Sequence, residues 1–360
     1  MNKLYSIQIL RGLAAVAVVI DHVTHYMHKS FSGESWLYSS NIYNVGGFGV
    51  DLFFCISGFI MVITTYNKPS GFSQSLTFLK KRFVRIYPTY WFYCILTLAL
   101  PFILYGKTDL ISKYDPLFLL QSFLLLPAKI SESSFSPFLG QGWTLQYELY
   151  FYLVFALALL VLSGWKVIAL CSSIIIALLA TSKYSTFNES VHYLVSNPIV
   201  IDFIMGMIAA KLYISLSCKG VSLPPIIGGI ALFVTVLLIS FNVIYKSPID
   251  RVILFGVPSF FIVTLFSLVS INPVKLINKF LVQLGEASYT IYLAHMIFIW
   301  TAIKYTQSLK LVKADIAIVL IVSLICFFSY IMYVAVERNL TSAFNKKKRI
   351  NHAASIEENR

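Results

Sequence analysis

Apolar residues along this chain are gathered into long runs that are separated by short polar and basic segments. Ten runs are long enough to cross a bilayer, since a spanning helix needs about 20 apolar residues. They cover roughly residues 7–28, 45–66, 88–106, 144–163, 167–182, 197–214, 224–245, 252–270, 287–305 and 315–336. A further run between Pro116 and Pro127 has only about 12 residues and predicts a re-entrant or interfacial segment. The pattern therefore predicts an all-α integral membrane protein, a bundle of about ten transmembrane helices with one such segment.

The composition agrees with this interpretation. Of the 360 residues, 58% are hydrophobic and 12% are charged, whereas about a quarter are charged in an ordinary soluble domain. A typical soluble enzyme is therefore excluded, and ten spans leave no room for a separate soluble catalytic domain. We expect residues 1–344 to form one membrane domain. Residues 345–360 are polar and charged without apolar periodicity, which predicts a disordered cytoplasmic tail.

The net charge of +13 is spread in small groups between the apolar runs, which is typical of orientation signals in a membrane rather than of nucleic-acid binding. With the N-terminus inside and ten spans, 18 of the 28 Lys and Arg residues lie on the inner side. This arrangement predicts a protein of the inner (plasma) membrane with both termini cytoplasmic. The five cysteines form no CxxC pair, so we expect neither disulfides nor a metal site.

Ionisable residues inside a span are costly, so each is a candidate for function. Arg11 and His22 are eleven residues apart, which places them on nearly the same face of the first helix, separated by about 16 Å along its axis. Asp21 is adjacent to His22 and could orient a histidine through a neighbouring turn. Asp51, after a glycine-rich stretch that also suits close helix packing, and Glu148 are further acidic residues within apolar runs.

Arg82 and Arg85 are three residues apart ahead of the third predicted span and share a helix face. Such a pair could grip phosphate groups bidentately, or it could be a positive-inside anchor. Near the end of the chain, Ser288 and His295 share a face but lie about 10 Å apart on a helix. That separation is too long for a nucleophile and its base, so a serine nucleophile is not favoured.

Taken in order, five stretches resemble the membrane acyltransferase 3 family across essentially the whole chain. These are Gln8–Gly12 through His22, Gly49–Asp51 through Ser57–Phe59, the pair Arg82 and Arg85, Trp143–Glu148, and Ser288–Tyr289 through His295. The family signature maps onto Arg11 with His22 and onto the arginine pair. The closing Glu337-Arg338 is also similar, although Asn339 stands where a proline is common, which affects the expected geometry of that helix end.

The resemblance implies an acyltransferase that takes an acyl group, usually acetyl, from cytoplasmic coenzyme A. The acceptor would be a hydroxyl of a cell-envelope molecule, such as a polysaccharide, a lipopolysaccharide or a lipid-linked sugar. Some members carry an extra extracellular esterase-like domain, and this chain shows none, so the acceptor is expected to reach the embedded site directly or with a partner. Acetyl-CoA is the implied donor, and the acceptor hydroxyl and the oligomeric state stay open.

The expected roles follow from the chemistry of that reaction. His22 is the candidate general base, with Asp21, Asp51 or Glu148 orienting the imidazole. The coenzyme A phosphates are assigned to basic residues at the inner surface: Arg11, Lys81, Arg82 and Arg85. Residues expected to contact the acceptor are Trp36, Trp143, Ser288, Tyr292 and His295, although both tryptophans equally suit interfacial anchoring. Direct transfer and an acetyl-histidine intermediate are both compatible with this set.

A competing hypothesis is a proton-coupled transporter in which Asp21, His22, Asp51 and Glu148 form a relay. Secondary transporters are commonly built from internal repeats, and no convincing repeat is visible in this sequence. A proton relay also has no need for a basic pair at one mouth. The acyltransferase interpretation is therefore favoured.

Overall fold

The computed structural model describes residues 4–30, 35–41, 44–106, 114–130, 135–184, 187–241, 247–306 and 314–344. Every secondary-structure element named below lies in these ranges. The predicted tail over 345–360 falls outside these ranges, as do parts of the segments between predicted spans (31–34, 42–43, 107–113 and 131–134). The basic residues outside the ranges include Lys3, Lys107, Lys113, Lys246, Lys310 and Lys313.

The described chain is almost entirely helical. In order, the helices are α1 Tyr5–Ser30, α2 Trp36–Ser39, α3 Val45–Thr65, α4 Phe72–Tyr105, α5 Pro116–Phe123, α6 Gly142–Val161, α7 Trp165–Thr181, α8 Glu189–Val195, α9 Ile201–Cys218, α10 Pro225–Phe241, α11 Pro248–Arg251, α12 Val257–Leu268, α13 Leu276–Glu286, α14 Ser288–Thr306 and α15 Ala314–Met332. A π-helical segment, Val252–Gly256, joins α11 to α12, and a second, Tyr333–Glu337, follows α15. No β-strand occurs in the ranges described, so the predicted all-α class is confirmed there.

Seven helical segments in the described residues are long and apolar enough to cross a membrane. The other three predicted spans fall on α7, α10 and α14. The first two have 17 residues each, or about 25 Å of helix, which is less than a hydrocarbon core of about 30 Å. Helix α14 carries several polar residues, among them Thr290 and His295. Multi-pass membrane character is supported, and the count of ten stays a prediction.

The third span begins earlier than the apolar pattern predicts. Helix α4 starts at Phe72 and contains Pro88 and Pro101 within it, whereas the sequence interpretation began this span at Pro88. Proline is tolerated inside membrane helices because neighbouring groups satisfy the freed carbonyls. As a consequence, Arg82 and Arg85 lie within the helix rather than in front of it.

The short apolar run forms α5, whose eight residues span only about 12 Å. Its C-terminal end packs on the middle of α4, where the Tyr90 hydroxyl donates to Ser122 O at 2.8 Å. The Trp91 indole donates to Phe123 O at 2.9 Å. Side chains of α4 therefore satisfy backbone carbonyl groups at the end of α5. Whether this segment is re-entrant or interfacial stays a prediction.

Helix α1 lies at the centre of the bundle and packs against α3, α13, α14 and α15, while α3 packs along α9. The α3 and α9 backbones approach closely because glycines meet at the crossing. A Cβ at Gly206 would overlap the Cys55 carbonyl oxygen, and one at Gly58 would overlap that of Phe203. Helix pairs in membranes use small residues in this way.

Replacing Gly206 by alanine is expected to destabilise the fold by about 1–3 kcal/mol, as overpacking of a buried contact does. The added methyl group has no space because the obstacle is backbone rather than a flexible side chain. Thermal unfolding of the detergent-solubilised protein measures the effect. Gly229→Ala is the matched control, since a Cβ there meets no heavy atom within 4 Å; equal melting temperatures in the two variants would contradict this packing.

Candidate active site

A cavity of about 450 Å³ lies in the bundle between α1, α3, α4, α6 and α14. Its walls combine apolar side chains with a small set of polar and charged groups, as ligand-binding cavities usually do. The charged groups that line it are Arg11, Arg82, Arg85 and Glu148. The first three come from α1 and α4, and the last comes from α6.

Three guanidinium groups face this one cavity. Arg82 and Arg85 share a face of α4 because they are three residues apart, and Arg11 comes from the first half of α1. Arg82 Nη2 is 3.4 Å from Thr64 Oγ1, and its guanidinium lies 5.4 Å from the Phe78 ring centre. Its Nε is buried without a hydrogen-bond partner. Within the described residues, Arg11 and Arg85 form neither a hydrogen bond nor an ion pair, so their donors are free for a ligand.

Two carboxylates accompany the arginines without pairing directly to them. Glu148 accepts hydrogen bonds from the Ser57 hydroxyl, at 3.1 Å, and from the Tyr152 hydroxyl. Glu337, in the π-helical segment after α15, accepts from Thr290 Oγ1 at 2.6 Å. Both act electrostatically on Arg11. Three cations against two anions leave this region positive, which suits an anionic ligand.

His22 lies further along α1, on nearly the same face as Arg11. Eleven residues of helix separate the two side chains by about 16 Å. The His22 ring is half-buried, and its Nδ1 is 3.1 Å from Val18 O and 3.1 Å from His295 Nε2. His295 is fully buried on α14, and its Nδ1 is 2.7 Å from Tyr292 O. The two imidazoles therefore form a hydrogen-bonded pair.

Tyr292 connects this imidazole pair to the cavity, which its side chain lines. Its hydroxyl lies 2.9 Å from Thr144 Oγ1 and donates to Gln141 O at 3.2 Å. Helix α14 is thereby tied to the start of α6. One element thus holds both a cavity wall and the partner of His22.

The three carboxylates expected to orient His22 have other contacts in the structure. Asp21 points toward α3, where a Cβ at Gly46 would overlap its side chain. Asp51 is fully buried and pairs with Arg251, whose Nη2 is 2.6 Å from Asp51 Oδ2. Glu148 accepts hydrogen bonds from Ser57 and Tyr152, as described above. The side chain that is hydrogen-bonded to His22 is instead His295, on α14.

The remaining predicted site residues are spread over the molecule. Ser288 is fully buried at the cavity wall, and its Oγ has no hydrogen-bond partner. Lys81 lies on the exposed face of α4. Trp143 packs edge-to-face on Phe54, a cavity residue, with ring centres 6.5 Å apart. Trp36, 63% exposed, lies on the short helix α2.

The sequence analysis did not identify three residues that the structure places beside predicted site residues: Tyr152, Thr64 and Arg251. Tyr152 follows Glu148 by four residues on α6, so helical spacing could have indicated it. Thr64 and Arg251 come from distant parts of the chain, and a single sequence carries no sign of either contact.

The geometry allows a specific chemistry. A cluster of guanidinium groups can hold a phosphorylated ligand, and an imidazole about 16 Å away along α1 can accept a proton from a hydroxyl. A long, thin molecule with anionic groups at one end could lie in the apolar cavity, whose wall residue Tyr292 packs against His295, the partner of His22. In the described residues, no group of three His, Cys, Asp or Glu side chains is placed to hold a metal ion.

Comparison with known proteins gives two matches in sequence. The family described as an acyltransferase domain matches residues 4–336. The exopolysaccharide production protein ExoZ of Rhizobium meliloti (strain 1021) is 30% identical over 268 residues, which cover 70% of this chain and 76% of that protein. No solved structure matches the chain.

Proposed function

The chain belongs to the acyltransferase 3 family, and we propose that it moves an acetyl or other short acyl group from cytoplasmic acyl-CoA to a hydroxyl of an envelope polysaccharide or lipid-linked sugar. The family match supports acyltransferase activity, and the seven apolar helices found among the described residues indicate a multi-pass membrane protein. The name of the similar protein ExoZ refers to exopolysaccharide production, which supports a carbohydrate acceptor here.

The observation that carries the proposal is the cluster of three guanidinium groups in one cavity, with His22 further along the helix that carries Arg11. Coenzyme A carries several phosphate charges at one end and its thioester at the far end of a flexible arm. In the proposal, Arg11, Arg82 and Arg85 hold the phosphates by charge-assisted hydrogen bonds. The buried Nε of Arg82, which has no hydrogen-bond partner among the described residues, supports this role, because a buried polar group without a partner is costly unless a ligand satisfies it. Lys81 adds positive charge at the entrance.

His22 acts as the general base in this proposal. It removes the proton from the acceptor hydroxyl while the hydroxyl oxygen attacks the thioester carbonyl carbon. The new carbon–oxygen bond forms, the carbon–sulfur bond breaks, and the imidazolium returns the proton to the departing sulfur. Direct transfer of this kind needs no acyl-enzyme intermediate, which agrees with the buried position of Ser288.

In the proposal, the carboxylates of Glu148 and Asp51 have a structural role and hold neighbouring side chains in place. Glu148 holds the Tyr152 and Ser57 hydroxyls at the cavity wall, and Asp51 fixes Arg251. A proton relay would need these carboxylates in hydrogen-bonding contact with His22. Their described hydrogen bonds are instead made with Ser57, Tyr152 and Arg251. The contacts therefore favour the acyltransferase over the proton-coupled transporter.

We assign the protein to the inner membrane with both termini in the cytoplasm, and residues 1–344 to one membrane domain followed by a cytoplasmic tail. The basic residues near the start of α4, among them Lys80 and Lys81, support a cytoplasmic location for that helix end, because Lys and Arg concentrate on that side. The donor then enters from the cytoplasm. An acceptor on the outer side would enter from the opposite mouth.

Trp36→Ala and Trp143→Ala are expected to reduce acceptor turnover more than acyl-CoA binding. Trp143 packs on the cavity residue Phe54, and aromatic faces suit the mixed polar and apolar surface of a sugar. Acceptor turnover and acetyl-CoA binding are measured separately for each variant. Trp165, also exposed but on α7, is the control for simple membrane anchoring; equal losses in all three variants would contradict an acceptor role.

The proposed function is tested by incubating membranes that contain the protein with radiolabelled acetyl-CoA and purified envelope polysaccharides. Label is expected to move to the polysaccharide with the unchanged protein and not with an empty-vector membrane. Hydroxylamine should release the label from an O-acyl ester. Absence of transfer to any envelope carbohydrate, with acetyl-CoA binding intact, would overturn the proposal.

A further inference from the structure

Five atoms form a continuous hydrogen-bonded path from α14 to α1. The path runs from Tyr292 O to His295 Nδ1 at 2.7 Å, then from His295 Nε2 to His22 Nδ1 at 3.1 Å. His22 Nδ1 also lies 3.1 Å from Val18 O. A backbone carbonyl, which only accepts hydrogen bonds, stands at each end of this path. The two ends together decide where the protons of both rings are.

The carbonyl of Tyr292 determines the tautomer of His295. Because that oxygen can only accept, His295 Nδ1 carries the hydrogen and donates it. A neutral imidazole has one N–H, so His295 Nε2 holds a lone pair and acts as an acceptor. His295 is fully buried, so water does not compete for either nitrogen.

The same reasoning then fixes His22. Its Nδ1 faces two acceptors, Val18 O and His295 Nε2, so it carries the hydrogen. The opposite arrangement would set a lone pair of His22 against the Val18 carbonyl and a lone pair of His295 against the Tyr292 carbonyl. The remaining nitrogen of His22, Nε2, has no partner among the described residues and holds the lone pair of the neutral ring.

We propose that His295 is a positioning residue that holds His22 in the Nδ1-protonated tautomer, so that His22 Nε2 is the atom that takes the proton from the acceptor hydroxyl. This inference rests on the proposed function, in which His22 is the general base. Which ring nitrogen of a histidine is protonated is set by the hydrogen bond that the other nitrogen makes. In this protein a neutral imidazole makes that bond, whereas Asp21, Asp51 or Glu148 was expected to make it.

The proton balance of the step is simple. The hydroxyl proton moves to His22 Nε2, and His22 becomes an imidazolium with both nitrogens protonated. Its Nδ1–H keeps donating to His295 Nε2, and this bond strengthens because the donor is now charged. When the sulfur of coenzyme A departs, Nε2 returns the proton to it. His295 gains and loses no proton in the cycle.

Two amide variants of His295 separate its two hydrogen bonds. Glutamine can place its carbonyl oxygen near the position of His295 Nε2, which keeps the acceptor for His22 and gives up the bond to Tyr292. Asparagine is shorter and can place its amide near Nδ1, which keeps the bond to Tyr292 and gives up the acceptor for His22. Both replacements are polar and close in size, so each is the control for the other.

We expect His295→Gln to keep kcat within about threefold of the unchanged protein and His295→Asn to lower kcat by about 10- to 100-fold, a part of the effect that a general base supplies. The KM for acetyl-CoA should stay the same in both, because neither change touches the arginines. Nitrogen-15 spectra of labelled histidine should show His22 protonated at Nδ1 in the unchanged protein and His295→Gln, and a loss of that preference in His295→Asn. Thermal unfolding of both variants verifies that each is folded.

Equal kcat values in the two variants, whether both high or both low, or the reverse order, would overturn the positioning role. That result is distinguishable from failure of the proposed function, which His22→Gln tests separately. If His22→Gln is inactive and both His295 variants are fully active, only the role of His295 is lost. If His22→Gln is fully active, the general-base assignment itself is lost.

Discussion

Replacing His22 by glutamine is expected to lower acyl transfer by about 10²- to 10⁴-fold, the usual contribution of a general base. A hydroxyl is a poor nucleophile at neutral pH, so the reaction depends on a group that removes its proton as the new bond forms. Glutamine retains the polarity and approximate size of the side chain but has no basic nitrogen. The measurement is the rate of label transfer from radiolabelled acetyl-CoA at saturating donor.

Donor binding should survive this change, because Arg11 lies about 16 Å away along α1, and Arg82 and Arg85 line the cavity from α4. His25→Gln is the matched control, since His25 lies one turn further along the same helix and has no assigned role in transfer. It should keep near-normal activity and protein level. Full activity of His22→Gln, or an equal loss in both variants, would remove His22 from the mechanism.

Helical spacing within one element was enough to predict part of the geometry of the candidate site. The eleven-residue interval between Arg11 and His22 and the three-residue interval between Arg82 and Arg85 each place two side chains on one face, and the structure shows both arginines of α4 and Arg11 at a single cavity. Such predictions succeed because the geometry of a helix is fixed by hydrogen bonds between near neighbours. They need no knowledge of how the helices pack.

Contacts between helices could not be predicted in this way. His22 and His295 are separated by 273 residues, and Asp51 and Arg251 by 200. The charge of Asp51 suggested a partner for His22, but its actual partner is Arg251, the last residue of α11, which is placed by the packing of α3 against the π-helical segment that follows α11. Close packing at Gly58 and Gly206 sets where α3 and α9 cross, and a single sequence does not give that crossing.

The boundary of the third span shows a different difficulty. The apolar run alone placed the start of this span at Pro88. Inside a membrane bundle the same residue lies well within a helix, since neighbouring side chains satisfy the freed carbonyls. Tertiary contacts decide whether Pro88 begins the helix or lies within it. The outcome determines whether Arg82 and Arg85 are interpreted as an anchor in a loop or as part of a cavity wall.

Arg85→Ala is expected to weaken acetyl-CoA binding by about 10- to 150-fold in Kd, which corresponds to the loss of about 1.5–3 kcal/mol for a hydrogen bond to a charged group. Arg85 is the clearest test of the cluster because it makes no hydrogen bond or ion pair to the described residues, so its removal disturbs the fold little. Arg82→Ala should show a similar loss, although Arg82 also contacts Thr64 and Phe78. Equilibrium binding of acetyl-CoA to purified protein measures both.

Further variants separate phosphate binding from an orientation signal. Arg85→Lys keeps the charge but lacks the planar fork that binds phosphate bidentately, so it should recover only part of the affinity. Lys279→Ala removes a charge from the exposed face of α13 and should leave the Kd unchanged. Added salt should weaken binding to the unchanged protein more than to Arg85→Ala, because screening acts on the charge that the variant lacks. Equal Kd values for Arg82→Ala, Arg85→Ala, Lys279→Ala and the unchanged protein would mean that the arginine pair only orients the helix, and the donor would then have to bind elsewhere.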